Sequence, residues 1–309
     1  MLSKKGLILA KIETNYGADA NPTPANHAVL VSDPQVKVNA ERFERDMVRP
    51  TLSNVPHVIG RKFVELSFST ELKGSGTLGD PPEISTLLRA CGMEEVQNIG
   101  VDVQYQPVSN DFESCTVYVY LDGLLHKITG CRGSFELIAA AGEPVRINWK
   151  IQGLYQTPVD VAIPAGAVYA GQKGLVFQGV TFSYAGYSTL IAQLSLNLNN
   201  KIARHESVNA PHGVSGIEIV GRTPGGAINP EAVSENTHPF WSNWEGANGA
   251  TLSCLMGALA GNKVQIDSAS GGCVKESIAW GERNGIRIYD IPFGLYSANG
   301  DDEVRLTFK

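Results

Sequence analysis

The chain has 309 residues, of which 18% are charged and 43% hydrophobic, and its formal net charge is −6 at pH 7. This composition excludes intrinsic disorder. The acidic balance also excludes a protein that grips nucleic acid by neutralising phosphates, and the length suits two domains of ordinary size.

The opening stretch, MLSKKGLILAKIETNYG, holds only the short apolar run GLILA between lysines. That is too little for a signal-peptide core or a membrane span, so no membrane anchor is expected and the chain is expected to be made in a reducing cytoplasm. Gln35 to Asn39 alternates like a strand. The following segment, Phe43 to Gly60, is rich in charge and proline and too long for a hairpin turn, and is read as an exposed contact loop. In VELSFSTELK, Val64, Leu66, Phe68, Thr70 and Leu72 alternate with Glu65, Ser67, Ser69, Glu71 and Lys73, the period of a half-buried strand. PPEISTLLRACGME then repeats Ile84, Leu87, Leu88 and Cys91 at helical spacing, with Pro82 suited to the first turn and Gly92 to the cap. Val101 to Tyr105 and Thr116 to Leu121 read as strands, and Asp122-Gly123 marks a tight hairpin turn, which makes the sheet antiparallel. Val145, Ile147, Trp149 and Ile151 alternate with Arg146, Asn148, Lys150 and Gln152 in another strand. Residues 157–174, rich in proline, glycine and alanine, form an irregular linker. Farther on, Leu252, Leu255, Met256 and Leu259 in TLSCLMGALAG predict a second helix, weakened by Gly257.

Three segments recur in order. Gln35-Val36-Lys37-Val38-Asn39 resembles Gln193-Leu194-Ser195-Leu196-Asn197, 158 residues on, and Asn54-Val55-Pro56-His57 resembles Asn209-Ala210-Pro211-His212, 155 residues on. Val145 to Lys150 resembles Val304 to Lys309, 159 residues on. Their near-constant spacing predicts an internal duplication, with units at 1–156 and 175–309 around the linker. A rival register matches VRINWKIQGLY to IRIYDIPFGLY, 141 residues on; agreement with the other two segments favours the larger offset.

The motifs that suggest chemistry lack their contexts. GSGTLG satisfies GxGxxG, but the preceding strand has a polar face and Pro81-Pro82 delay the helix, against a dinucleotide fold, so no cofactor is expected. The histidines at 27, 57, 126, 205, 212 and 238 show no ligand spacing, and the cysteines at 91, 115, 131, 254 and 273 show no zinc pattern and read as buried thiols. Cys115 and Cys131 stand where they would face each other across the hairpin. No nucleophile motif accompanies them, and Glu65 and Glu71 read as a solvated strand face, so no catalytic residues are assigned and the chain is not read as an enzyme. Trp241 and Trp244, in PFWSNWEGANG, suit either a core or subunit contact or a stacking platform for a ligand.

FERDMVRPTLSNVPHVIGRKFVELSFSTELKGSG, followed by PPEISTLLRACGM and by GCRGSFELIAAAGEPVRINWKIQGLY, resembles the major tail tube proteins of long-tailed bacteriophages. The match covers most of residues 1 to 156; the second half departs from it, lacking a GSG after IEIVGRTPGG. The resemblance implies a mainly-β chain of two tandem β-sandwich or barrel-like tail-tube domains, each with a flanking α-helix. It further implies a virion tail protein, assembled in the host cytoplasm as stacked rings. With two units per chain, three chains make a pseudo-sixfold ring around a channel for viral double-stranded DNA, with tape measure, terminator and distal tail proteins as neighbours. On this reading Glu65, Ser67, Ser69 and Glu71 face the channel. The loop carrying Phe43, Glu44, Arg45, Asp46, Arg49, Asn54 and His57 joins successive rings. Arg146 and Lys150 either pair with acidic neighbours or lie on a strand facing outward. The competing expectation is a two-domain carbohydrate-binding or adhesin-type surface module using Trp241 or Trp244.

Overall fold

The computed structural model describes Leu2 and residues 4–309. The first half contains β1 (Gly6–Ile12), α1 (Pro24–His27), β2 (Ala28–Val29), β3 (Ser32–Arg45), β4 (Val55–Glu71), α2 (Ser85–Ala90), β5 (Met93–Asn98), β6 (Asp102–Pro107), β7 (Cys115–Leu121), β8 (Leu124–Ala140), β9 (Arg146–Leu154) and β10 (Val159–Asp160). The second contains β11 (Thr181–Tyr184), β12 (Ile191–Asn197), β13 (Asn200–Glu206), β14 (Val214–Arg222), β15 (Gly225–Pro230), α3 (Phe240–Glu245), β16 (Leu252–Met256), β17 (Val264–Ser268), β18 (Cys273–Lys275), β19 (Ala279–Arg283), β20 (Ile286–Leu295) and β21 (Val304–Phe308). The fold is mainly β, a sandwich of antiparallel sheets that does not close into a barrel.

Local chemistry explains several elements directly. Asp122 and Gly123 adopt φ of 42° and 105°, turning β7 back into β8. Gly92 takes φ 78° just after α2, whose Leu87 and Leu88 are fully buried. In β4 and β9 the apolar faces point inward as their alternation predicts: Val64, Leu66, Phe68, Ile147, Trp149 and Ile151 are all buried. Trp149 packs against Phe68 and Phe135, and its indole Nε1 donates to Thr70 Oγ1 at 2.9 Å. The one polar atom of that ring is therefore satisfied inside the core. Cys115 and Cys131 are register partners across β7 and β8, and all five cysteines are free and buried.

One layer of the sandwich contains the run β3–β4–β9–β8–β12–β15–β20–β18, with β19 pairing β20 farther along. Strand β8 is long enough to serve two sheets. Its C-terminal part pairs β9 and β12, while its N-terminal part pairs β7 and β10, and β7 continues to β1 and β2. The other layer, β11–β16–β17–β21–β6–β5, also mixes strands of both halves, because β21 pairs β6. One continuous core follows, running from Leu66, Phe135 and Trp149 to Tyr184, Phe293 and Leu306. The segment between the halves is held at Ala170. Its N–H donates to Glu83 at 3.0 Å and its carbonyl accepts from Lys73 at 3.2 Å, while these two side chains form a buried ion pair at 2.9 Å.

The order β3–β4–β9–β8 is met again as β12–β15–β20 with β18 and β19 together in the place of β8, β18 against Phe293–Leu295 and β19 against Ile286–Asp290. Leu66 stands between Val36 and Ile151, and Ile228 stands between Leu194 and Ile291. The counterpart of β9 is therefore β20, and the preferred match of Val145–Lys150 to Val304–Lys309 is corrected: β21 pairs β17 and β6 in the opposite layer. Even the rival match of 141 residues is displaced by one, since Ile151 corresponds to Ile291. A one-residue slip moves every side chain to the other face, and would set buried Trp149 against exposed Asp290. The predicted helix at TLSCLMGALAG is corrected too. Leu252, Cys254 and Met256 are buried alternately in β16, Gly257 turns the chain at φ 88°, and Leu259 is exposed. The flanking helix of this half is α3. Finally, Phe43 to Gly60 is no loop: β3 and β4 stay paired out to Arg45 and Val55, leaving only residues 46–54 unpaired.

Candidate assembly surfaces

The polar side of the long sheet run is continuous across both halves. Strand alternation puts Glu65, Ser67, Ser69 and Glu71 on one face. Cross-strand register extends that face along rows. Gln35, Ser67, Lys150 and Ser134 form one; Ser69, Asn148, Glu136, Asn197, Gly225 and Gly294 form a second; Glu71, Arg146, Ile138, Ser195, Ala227 and Pro292 form a third. Ser69 Oγ donates to Asn148 Oδ1 at 2.6 Å, and Glu65 stands 3.9 Å from Lys37 Nζ. Arg146 and Lys150 share this face, Arg146 directly opposite Glu71 and Lys150 opposite Ser67. The surface is thus polar and mixed in sign, a composition that leaves phosphates no basic track to follow.

Sequence reading missed the extension through Gln193, Ser195 and Asn197. The signal was available, because β12 was recognised as a copy of β3; what was absent was its seat beside β8, where Asn197 is partnered by Glu136 and Gln193 by Ala140.

The run ends in open borders. Among the described residues β3 pairs only β4, and β19 pairs only β20. Each leaves one side of its backbone groups without a sheet partner, a template for a further strand.

Two arms leave the sheet. The outer part of β3 and β4 projects as a two-stranded arm that carries every residue anticipated for the contact loop. Phe43, Glu44 and Arg45 end β3, Asp46, Arg49 and Asn54 lie in the tip, and His57 starts β4. Arg45, Asp46, Asn54 and His57 line one shallow depression. Apolar side chains of this arm face water, Val48 and Leu52 completely and Phe43, Met47, Val58 and Ile59 by about half. A contiguous apolar surface in water contributes nothing to the stability of the fold and is the kind of surface that marks interaction sites in general.

The second arm, β13–β14, already lies on a surface. Its Arg204 guanidinium sits 4.1 Å from the Phe63 ring centroid and donates to Gln152 at 3.2 Å. The His212 carbonyl accepts from Lys62 N at 3.0 Å, and its ring meets Tyr155 edge-on at 5.0 Å. Arg132, on β8, donates to the carbonyls of Ile217, Glu113 and Phe112 and pairs with Glu218 at 2.7 Å. Ile217 N–H donates to the Tyr16 hydroxyl, whose burial pushes its pKa up to about 12.

The aromatic stretch of α3 is occupied inside the chain. Phe240 is buried, while Trp241 packs on Trp244, Trp280 and Tyr289 at 5.9–6.1 Å. Trp244 Nε1 donates to the Glu276 carbonyl. These rings fasten α3 to β19 and β20.

A mainly-β sandwich with a continuous polar sheet face, open sheet borders and a projecting apolar arm has the build of a self-assembling structural protein. The family model described as phage tail tube protein matches residues 3–308, nearly the whole chain, so the chain belongs to the phage tail tube protein family and is a structural component of the phage tail. A comparison with curated proteins found no match.

Proposed function

We propose that this protein forms the wall of the tail tube as rings of three chains with pseudo-sixfold symmetry, stacked around a channel through which viral DNA passes into the host. Residues 1–156 and 175–309 act as two tail-tube units tied by residues 157–174. The observation that carries this reading is the doubled strand order. Where β8 of the first unit meets β12 of the second, the chain already contains one unit-to-unit junction, and it leaves one unused border of each kind, β3 and β19. Joining β19 of one chain to β3 of the next repeats that junction around an axis and closes both borders of the long run at once.

In this arrangement Glu65, Ser67, Ser69 and Glu71, with Gln193, Ser195 and Asn197, line the channel. Their mixed polarity lets DNA pass without a basic wall to stall it. The arm reaches the next ring with its tip, Asp46, Arg49 and Asn54, carried on a stem that holds Phe43, Glu44, Arg45 and His57. Partners are further copies of the chain and, at the ends, tape measure, terminator and distal tail proteins; assembly takes place in the host cytoplasm. The role is structural, with no catalysis and no cofactor. Negative-stain microscopy of the purified protein over a range of concentrations tests the reading. Rings or tubes with threefold chain stoichiometry are expected, and discrete monomers under every condition overturn it.

A further inference from the structure

The two arms are counterparts in unequal states, and the difference points to a seat. The β13–β14 arm leaves the sheet at Asn197 and bends at once: Asn199 adopts φ 50°, and Asn197 Oδ1 accepts from Asn199 N at 2.7 Å. It then runs over the ends of β8, β9 and β4, covering Phe63 and Gln152. Asn39 is the counterpart of Asn197 at the root of the β3–β4 arm. The β3–β4 ladder is irregular just beyond it, between Ala40 and Arg42, where a bulge bends a strand most readily. The buried Asn39 Nδ2 has no hydrogen-bond partner. Just beyond it the base of the arm is tied to β13–β14, by the Lys62 N–H to the His212 carbonyl at 3.0 Å and by Arg61 to Glu206; farther out, Phe43, Val48, Leu52 and Val58 face water.

The second unit carries an open groove at the matching place. Strand for strand, Phe63 corresponds to Gly225 and Leu154 to Gly294, and both pairs are register partners. On the first unit this site is filled by Phe63 under Arg204. On the second, glycines form the floor of a groove of about 660 Å³, walled by Asn197, Thr223, Pro224 and Tyr296. Tyr296 is 56% exposed there. Glu136, Glu276 and Glu303 line the groove with Arg222, and the arm alternates Arg42, Arg45 and Arg49 with Glu41, Glu44 and Asp46, so both surfaces carry both signs.

We propose that the β3–β4 arm of one chain bends at Ala40–Glu41 and lies in the Gly225–Gly294 groove of a second copy, as β13–β14 lies on the first unit within a chain. This rests on the self-assembly reading and adds a lateral contact to it. A β3 strand seated beside β19 of its neighbour starts its arm next to this groove, just as β12 beside β8 starts β13 next to its own seat. The lateral contact takes His57 and Val58 to the neighbour within the ring and leaves residues 46–54 to reach the next ring.

The test places cysteines at two exposed positions, Val58→Cys and Tyr296→Cys, in one chain, and treats the protein with a short bismaleimide. The five native cysteines are buried, and burial raises the thiol pKa of Cys254 and Cys273 to about 12, so they stay silent. Circular dichroism checks the fold, and microscopy of the unmodified protein checks assembly separately. The expected result is covalent linkage between copies in the assembled double variant only, in a ladder that stops at the number of chains in one ring. If the protein assembles but the double variant links no better than either single one, the groove assignment is wrong while the tube reading stands. A ladder that climbs without limit puts the arm between rings and also overturns the lateral seat. Failure of the unmodified protein to assemble at all removes both.

Discussion

Arg132 locks the second arm to the first unit, and replacing it with methionine is the most informative perturbation of the fold. Its side chain is 9% exposed and reaches the carbonyls of Ile217, Glu113 and Phe112 together with the Glu218 carboxylate. Its guanidinium also lies 5.0 Å from the Tyr16 ring centroid. Arg132→Met keeps most of the aliphatic bulk but removes every donor. A hydrogen bond to a charged group contributes roughly 1.5–3 kcal/mol. Glu218 is 35% exposed and can rehydrate, so its share is discounted. The Ile217 carbonyl is fully buried and keeps only the longer contact from the Tyr16 hydroxyl at 3.4 Å, so it bears most of the desolvation penalty. Leaving the enclosed carbonyls short of their donor then costs about 2–3 kcal/mol, the upper part of the range for an unsatisfied buried acceptor, and lowers the melting temperature by on the order of 5 °C. Guanidinium denaturation followed by tryptophan fluorescence measures the loss. Hydrogen exchange localises it, with faster exchange expected through residues 200–222 before the rest of the sandwich responds. A variant within ~1 kcal/mol of the parent, by the yardstick of an ordinary surface change, and with unaltered exchange in that arm would show that β13–β14 is held by other means.

Three further outcomes are expected. Replacing residues 43–60 by a short Gly/Ser linker leaves circular dichroism and thermal stability close to the parent, because the arm buries nothing within the chain, but abolishes polymer growth; unchanged polymerisation removes the arm from assembly. Thr70→Val strands the buried Trp149 N–H and costs about 1–3 kcal/mol, and chemical denaturation showing no change would mean the indole finds another acceptor. His126 and His238 have pKa values lowered by burial. Their folded pKa lies below the unfolded one, so the unfolded chain takes up protons first and stability falls as pH drops through the unfolded histidine pKa, near 6.5. Denaturation midpoints at pH 7.5 and 5.5 should differ in that direction, and His238→Gln should narrow the gap.

The sequence by itself determined the elements whose cause is local. Alternation of apolar side chains identified β4 and β9, Asp122-Gly123 identified the β7–β8 turn, and helical spacing with Pro82 and Gly92 identified α2. Each follows from sterics and periodicity within a few residues. Similarity of short segments also pointed to the repeated strand order, because β3 and β12 kept their residues. Tertiary structure alone decided the rest. Leu252, Leu255, Met256 and Leu259 fit a helix as well as a strand, and β16 was selected by pairing with β11 and β17. The partner of β9 turned on a one-residue register that only the ladder specifies, since Ile291 and Pro292 differ in the face they present. The two arms share little beyond Asn54-Val55-Pro56-His57 and Asn209-Ala210-Pro211-His212, and nothing in either string says that β13–β14 lies on Phe63 while the outer part of β3–β4 faces water. Backbone hydrogen bonds between distant strands carry no mark in the residues that make them, so which border meets which was settled by packing.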